Sequence, residues 1–83
     1  MVLSGHAKAK LEIYNISGDE IIEACTTPLY EFYDVNEDAH IIIVELQGVI
    51  FAVVYNKKTQ IIITVYRTNL RTIINRQKNN RWI

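Results

Sequence analysis

The middle of the chain decides the fold, and residues 39–67 read AHIIIVELQGVIFAVVYNKKTQIIITVYR. Three runs rich in isoleucine and valine follow one another, and β-branched side chains favour extended strands. Gln47 and Gly48 separate the first two runs as a tight hairpin turn does. The segment NKKT at 56–59 separates the second run from the third. The stretch therefore predicts three consecutive antiparallel strands over residues 39–46, 49–55 and 60–67.

A fourth strand is predicted just before them, over residues 28–35. The sequence PLYEFYDV alternates in part, with Tyr30 and Phe32 on one face and Tyr33 on the other. The apolar runs that follow are too continuous for a sheet with one face open to water. We therefore expect a four-stranded antiparallel meander whose two faces are covered by helices or by a partner chain.

Two short helices are predicted before the strands. Ser4 suits the N-cap of a first helix over roughly residues 5–14. Ser17 or Asp19 suits the N-cap of a second helix, and Pro28 prevents its continuation. These elements place residues 1–27 in a helical segment.

The last segment, residues 68–83, reads TNLRTIINRQKNNRWI and predicts a basic C-terminal helix or tail. Its apolar residues recur at helical spacing, which indicates a buried stripe. The stripe comprises the apolar residues Leu70, Ile73 and Ile74, and the polar Gln77 can share its face. The 83 residues thus predict a single α+β domain with a helical segment, antiparallel strands over 28–67 and a basic end.

The composition excludes several classes of protein. A hydrophobic fraction of 49% argues against intrinsic disorder. No apolar run reaches the ~18 residues that a membrane-spanning helix needs, and the first residues lack the features of a secretory signal peptide. The single cysteine, Cys25, excludes an internal disulfide and a four-cysteine metal site. We expect a cytoplasmic protein with no membrane contact, no metal site and no cofactor.

Charge is distributed unevenly along the chain although the net charge is zero. Residues 1–45 hold all nine acidic residues and two basic ones, whereas residues 46–83 hold seven basic residues and no acidic one. Such an asymmetry can mark a surface that binds a polyanion. It can equally reflect attraction between the two halves within the fold.

The first helix carries one pair of side chains suited to phosphate chemistry. His6 and Lys10 are four residues apart, so they share one face of the helix. Histidine is the residue type that most often acts as acid or base near neutral pH. The alternative is that His6 helps to cap the helix and Lys10 is solvated.

The last predicted strand carries further candidates. Thr64 and Tyr66 alternate onto one face of that strand, and Arg67 follows at its end. Two hydroxyls and a guanidinium can hold a phosphate. The alternative is a strand face that packs under a helix, with threonine favoured only by its β-propensity.

Several short motifs resemble those of a family of small bacterial and archaeal domains of uncharacterised function. The chain reads His6-Ala7 with Lys10, Ile16-Ser17 through Ile21, and Ile62-Ile63-Thr64-Val65-Tyr66. The family reads H-A-x-x-[RK], I-[ST]-x-x-x-[IV] and [IV]-x-T-V-Y at these places. This chain departs from the two arginines common on the family's first helix, because Tyr14 and Asn15 follow Lys10.

The family is similar in architecture to the RelE, BrnT and colicin D ribonucleases. The resemblance therefore implies metal-independent cleavage of RNA, often by a toxin held by an antitoxin. Such cleavage needs a base for the 2′-hydroxyl, an acid for the leaving oxygen and cations for the phosphate. Under this hypothesis the catalytic residues are His6, Lys10, Thr64, Tyr66 and Arg67.

The C-terminal segment predicts contact with nucleic acid in its own right, because cations beside a stacking ring suit single-stranded chains. The residues concerned are Arg71, Arg76, Lys78, Arg81 and Trp82. Trp82 can alternatively anchor the terminus to the body of the domain.

A second hypothesis is a non-catalytic interaction or nucleic-acid-binding module, such as a homodimer from a mobile element or virus. The partners that these hypotheses name are RNA, an antitoxin-like protein or a second copy of the chain. The ribonuclease hypothesis requires His6 to lie in one cleft with Thr64 and an arginine.

Overall fold

The computed structural model describes residues 1–83 and has an α+β architecture of three helices and a five-stranded sheet. The elements in chain order are β1 (Val2–Leu3), α1 (Gly5–Tyr14), α2 (Gly18–Ala24), β2 (Tyr30–Asp34), β3 (Ala39–Leu46), β4 (Val49–Asn56), β5 (Ile61–Arg67) and α3 (Leu70–Lys78).

The sheet has the strand order β1-β5-β4-β3-β2. The four predicted strands form the antiparallel meander β2 to β5, but the prediction of a purely antiparallel, four-stranded sheet is wrong at one edge. There β1 pairs in parallel with β5, where the backbone N–H of Val2 donates to the carbonyl of Gln60 at 2.8 Å. A strand of two residues is too short to show alternation, so the sequence carries no pattern for it.

The turn between β3 and β4 has the predicted form. Gln47 and Gly48 have φ angles of 54° and 77°, and positive φ at both central residues is what a type I′ hairpin turn requires. This turn sets the register that places His40 opposite Tyr55.

A bulge interrupts the pairing of β4 with β5 between Val54 and Tyr55. The extra residue in β5 lets Ile62 and Val65, which are three positions apart, both face α1 and α2. Both side chains are fully buried there.

The helices α1 and α2 cover one face of the sheet. Ser4 caps α1 by accepting a hydrogen bond from the N–H of Ala7 at 3.0 Å. Ser17 caps α2 in a capping box with Glu20. The apolar residues of this layer form the larger core, comprising Ala7, Leu11, Ile16, Ile21, Cys25, Ile42, Val44, Phe51, Val53, Tyr55, Ile62 and Val65.

The helix α3 and the segment after it cover the other face. Asn69 caps α3, and a smaller core forms from Ile41, Ile43, Ala52, Ile73 and Trp82. The predicted stripe is wrong for most of its members: only Ile73 is buried, while Leu70 and Ile74 are 54% and 48% exposed and Gln77 is exposed. Trp82 fills much of the space on this face, so the short helix buries a single side chain.

Candidate functional site

The predicted catalytic residues of β5 lie on the face of the sheet that α3 covers. Thr64 and Tyr66 pair with Val54 and Ala52, respectively. Ala52 belongs to the core beneath α3, and Val54 packs against that core. Arg67 pairs with Phe51 of the larger core, so its side chain emerges on the α1 side. The strand therefore presents its two hydroxyls and its guanidinium on opposite faces.

The predicted catalytic residues of α1 belong to the opposite layer from Thr64 and Tyr66. His6 is exposed, and the ammonium group of half-buried Lys10 lies 5.8 Å from the ring centroid of Tyr14. The structure thus divides the five residues between the two faces of the sheet and does not bring them into one cleft. Their catalytic role stays a prediction.

Thr64 and Tyr66 line a cavity of about 280 Å³ together with Asp34, Glu37 and Arg81. Burial raises the pKa of the Tyr66 phenol, although the positive charges of nearby arginines oppose the shift. The charged groups of this cavity are already paired with one another, because Arg81 contacts both carboxylates. The cavity therefore has little free charge with which to hold a substrate.

Asp34 is the centre of the polar network on this face. One carboxylate oxygen accepts the backbone N–H groups of Asn36 and Glu37 at 2.9 and 3.1 Å. The other accepts Arg81 Nε at 3.1 Å and Trp82 Nε1 at 2.9 Å. Burial raises the pKa of Asp34, but these four hydrogen bonds outweigh it and hold the pKa below the usual value.

Two of the predicted nucleic-acid-binding residues, Arg81 and Trp82, donate hydrogen bonds to Asp34 in this network. Trp82 is 1% exposed and stacks on Phe32 with 5.5 Å between ring centroids. Arg81 pairs with Asp34 and, at 3.8 Å, with Glu37. These contacts join the acidic first half of the chain to its basic end. They bury the Trp82 ring, which anchors the terminus as in the second alternative and is not free to stack on a base.

The other three basic residues of this segment, Arg71, Arg76 and Lys78, are named here the α3 cations. Arg71 and Lys78 are exposed, and none of the three has a carboxylate partner. Arg76 is half-buried, and its guanidinium lies 5.2 Å from the ring centroid of Trp82. Since α3 contains no acidic residue, the helix presents unpaired positive charge to solvent.

A row of aromatic and basic side chains on the α1 face was not predicted from the sequence. Tyr33, His40 and Tyr55 lie opposite one another on β2, β3 and β4, and Lys57 and Lys58 follow in the next turn. One pair in this row could have been predicted from the sequence. Counting residues back from a turn at Gln47–Gly48 places His40 opposite Tyr55. The register of β2 had no such turn to fix it.

No three side chains of histidine, cysteine, aspartate or glutamate are grouped so that they could hold a metal ion. No helix is long and apolar enough to cross a membrane. Comparison of the chain with protein-family models finds no match. Comparisons with curated proteins and with solved structures find none either.

Proposed function

We propose that this domain is a non-catalytic module that binds single-stranded RNA through the α3 cations. The observation that carries the proposal is the contrast within the basic segment. Arg81 is neutralised by carboxylates, whereas Arg71 and Lys78 are exposed and unpaired on a helix without acidic residues. Cations of this kind bind phosphates and release condensed counterions, which supplies affinity without sequence preference.

The arrangement of α3 also supplies an apolar contact. Arg71, Ile74 and Lys78 follow i, i+3, i+7 spacing, so they form one stripe along the exposed side of the helix. The two cations are about 10 Å apart along the helix axis at 1.5 Å per residue. A flexible single strand can place two phosphates on the cations and a sugar or base on the half-exposed Ile74.

We propose a non-catalytic module because His6 and Lys10 do not share a cleft with Thr64 and Tyr66. A separate cleavage assay tests the ribonuclease hypothesis. Labelled single-stranded RNA is incubated in EDTA with wild type and with His6→Ala, and the products are separated on a gel. Cleavage that His6→Ala abolishes would restore the ribonuclease hypothesis.

Binding is measured by fluorescence anisotropy over a series of salt concentrations. The variants are the double substitution Arg71→Ala/Lys78→Ala and, as a control, Lys8→Ala, which removes an exposed lysine from the opposite layer. Each phosphate contact to a single strand contributes a slope of about −0.7 in the logarithm of affinity against the logarithm of salt. The double variant should lose about 1.4 of this slope, and the control should keep it. Equal binding by both variants would overturn the proposal.

A further inference from the structure

A cross-strand row of three rings runs over β2, β3 and β4 at one end of the sheet. Tyr33 lies opposite His40, which in turn lies opposite Tyr55. Residues opposite each other on neighbouring antiparallel strands have Cβ atoms about 4.5–5.5 Å apart, so the three rings are neighbours on one face. The rings of Tyr33 and His40 meet edge to face with centroids 5.7 Å apart. We call these three residues the tyrosine–histidine row.

Two hydrogen-bonded turns hold the loops beside this row. The carboxylate of Asp34 accepts two backbone N–H groups in the β2–β3 loop. The side-chain oxygen of Asn56 likewise accepts the N–H groups of Lys58 and Thr59 at 3.0 and 3.1 Å. Both loops lie at the same end of the meander, and the second carries Lys57 and Lys58. The lysines are thus attached to a turn with a fixed backbone.

Polar groups without a partner meet in the cavity between these loops. The cavity has a volume of about 250 Å³ and is lined by the tyrosine–histidine row and by Lys57 and Lys58. The imidazole of His40, the hydroxyl of Tyr55 and both ammonium groups make no hydrogen bond or ion pair within the protein. The volume lies just below the ~300 Å³ at which pockets for small molecules begin, so it suits a small ligand.

The charges around the cavity favour an anion. The two lysines outnumber Asp38, the one carboxylate that lines it. Asp38 accepts a hydrogen bond from the Tyr33 hydroxyl, and this bond raises the pKa of Tyr33, so the phenol stays protonated. Glu31 lines an adjoining cavity with His40 and Lys57 and does not line this one.

We propose that the tyrosine–histidine row, with Lys57 and Lys58, is a binding site for a nucleoside monophosphate group. The lysines and the Tyr55 hydroxyl hold the phosphate as donors, and the rings of Tyr33 and His40 contact the base. The group is either a free mononucleotide or the phosphorylated end of an RNA. The site is independent of the α3 cations, because Tyr55 belongs to the core on the opposite face of the sheet.

The test is a ¹H–¹⁵N correlation NMR titration of the full chain with AMP, inorganic phosphate and adenosine. AMP should shift the amides of residues 33, 38–40 and 55–58 with a Kd on the order of 1 mM, and it should bind more tightly than either fragment. The double variant Lys57→Ala/Lys58→Ala should bind AMP at least tenfold more weakly. His40→Asn should weaken binding severalfold, and the control Lys8→Ala should match wild type.

The spectra themselves report whether each variant is folded. Absence of shifts in the named residues at about 10 mM AMP would overturn the proposal, as would unchanged binding by the double lysine variant. Shifts confined to α3 would overturn it too, while leaving the RNA-binding proposal intact. A 5′-phosphorylated oligonucleotide that displaces AMP better than its 5′-hydroxyl counterpart would identify an RNA end as the source of the phosphate. Failure of both oligonucleotides to displace AMP would identify a free nucleotide, and equal displacement by both would show binding of internal phosphodiesters and overturn the proposal.

Discussion

Removal of the Asp34 carboxylate breaks four hydrogen bonds at once. In Asp34→Ala, the buried indole N–H of Trp82 and the guanidinium of Arg81 lose their shared acceptor. The N–H groups of Asn36 and Glu37 lose theirs as well. Arg81 is 32% exposed and can be solvated, so the main cost is the buried indole N–H left without an acceptor, about 1–3 kcal/mol. Three backbone hydrogen bonds still join residues 81–83 to residues 33–35, so the C-terminal segment should stay in place but be held more weakly.

This loss is large for a domain of this size. At roughly 0.05–0.15 kcal/mol per residue, the whole free energy of unfolding is about 4–12 kcal/mol. Urea unfolding followed by the fluorescence of the single tryptophan measures the change. With an m-value of about 1–3 kcal/mol per molar, the midpoint should fall by about 1 M.

The matched control is Asp38→Asn, which alters an exposed carboxylate in the same loop. Asn tolerates the positive φ of 51° at this position, so the change should stay within about 0.5 kcal/mol. A loss below about 1 kcal/mol for Asp34→Ala would refute the reasoning, because the network would then contribute little.

The same carboxylate gives wild type a characteristic pH dependence. Since the folded pKa of Asp34 lies below the unfolded value of about 3.9, its contribution is complete above that pH and declines as pH falls through the folded pKa. Asp34→Asn should lack this part of the acid-induced loss. An equally steep decline in the variant would show that other carboxylates cause it.

Three further measurements test other parts of the fold. Ile73→Ala should lower the free energy of unfolding by about 2–5 kcal/mol, and Ile74→Ala should lower it by less than about 0.5 kcal/mol. The reason is that only Ile73 is buried. Similar losses in the two variants would contradict the orientation of α3. Gly48→Ala should cost about 1 kcal/mol, since φ is 77° there; an unchanged urea midpoint would argue against the I′ turn. Burial, assisted by the charge of Glu31, raises the pKa of Cys25 to about 11, so its alkylation at pH 8 should be roughly a hundredfold slower in the folded than in the urea-unfolded chain. Equal rates would show an accessible thiolate.

The sequence predicted the elements whose signals are local. The strands β3 to β5 follow from β-branched runs joined by a recognisable turn, and Ser4 and Ser17 mark the starts of α1 and α2 by side-chain capping. The strand β1 and the bridge between Asp34 and Trp82 depend on contacts between distant parts of the chain. No local pattern in the sequence reports such contacts.

The candidate site shows the same division between local and distant information. Alternation correctly placed Thr64 and Tyr66 on one face of a strand, but it does not tell which helix covers that face. The basic character of residues 68–83 was equally clear. The sequence did not show which of these cations are unpaired, because the neutralisation of Arg81 depends on a carboxylate 47 positions away. A charge pattern predicts the sign of a surface and leaves its internal pairing undetermined.

Unpaired charge on α3 is the feature that we propose binds RNA. The most direct measurement is the salt dependence of single-stranded RNA affinity for wild type beside Arg71→Ala/Lys78→Ala, both shown to be folded by NMR. Wild-type affinity should fall steeply with salt, and the double variant should lose at least tenfold in affinity, with a slope shallower by about 1.4. Wild type that binds no RNA at low salt, or a double variant with unchanged affinity and slope, would contradict the proposal.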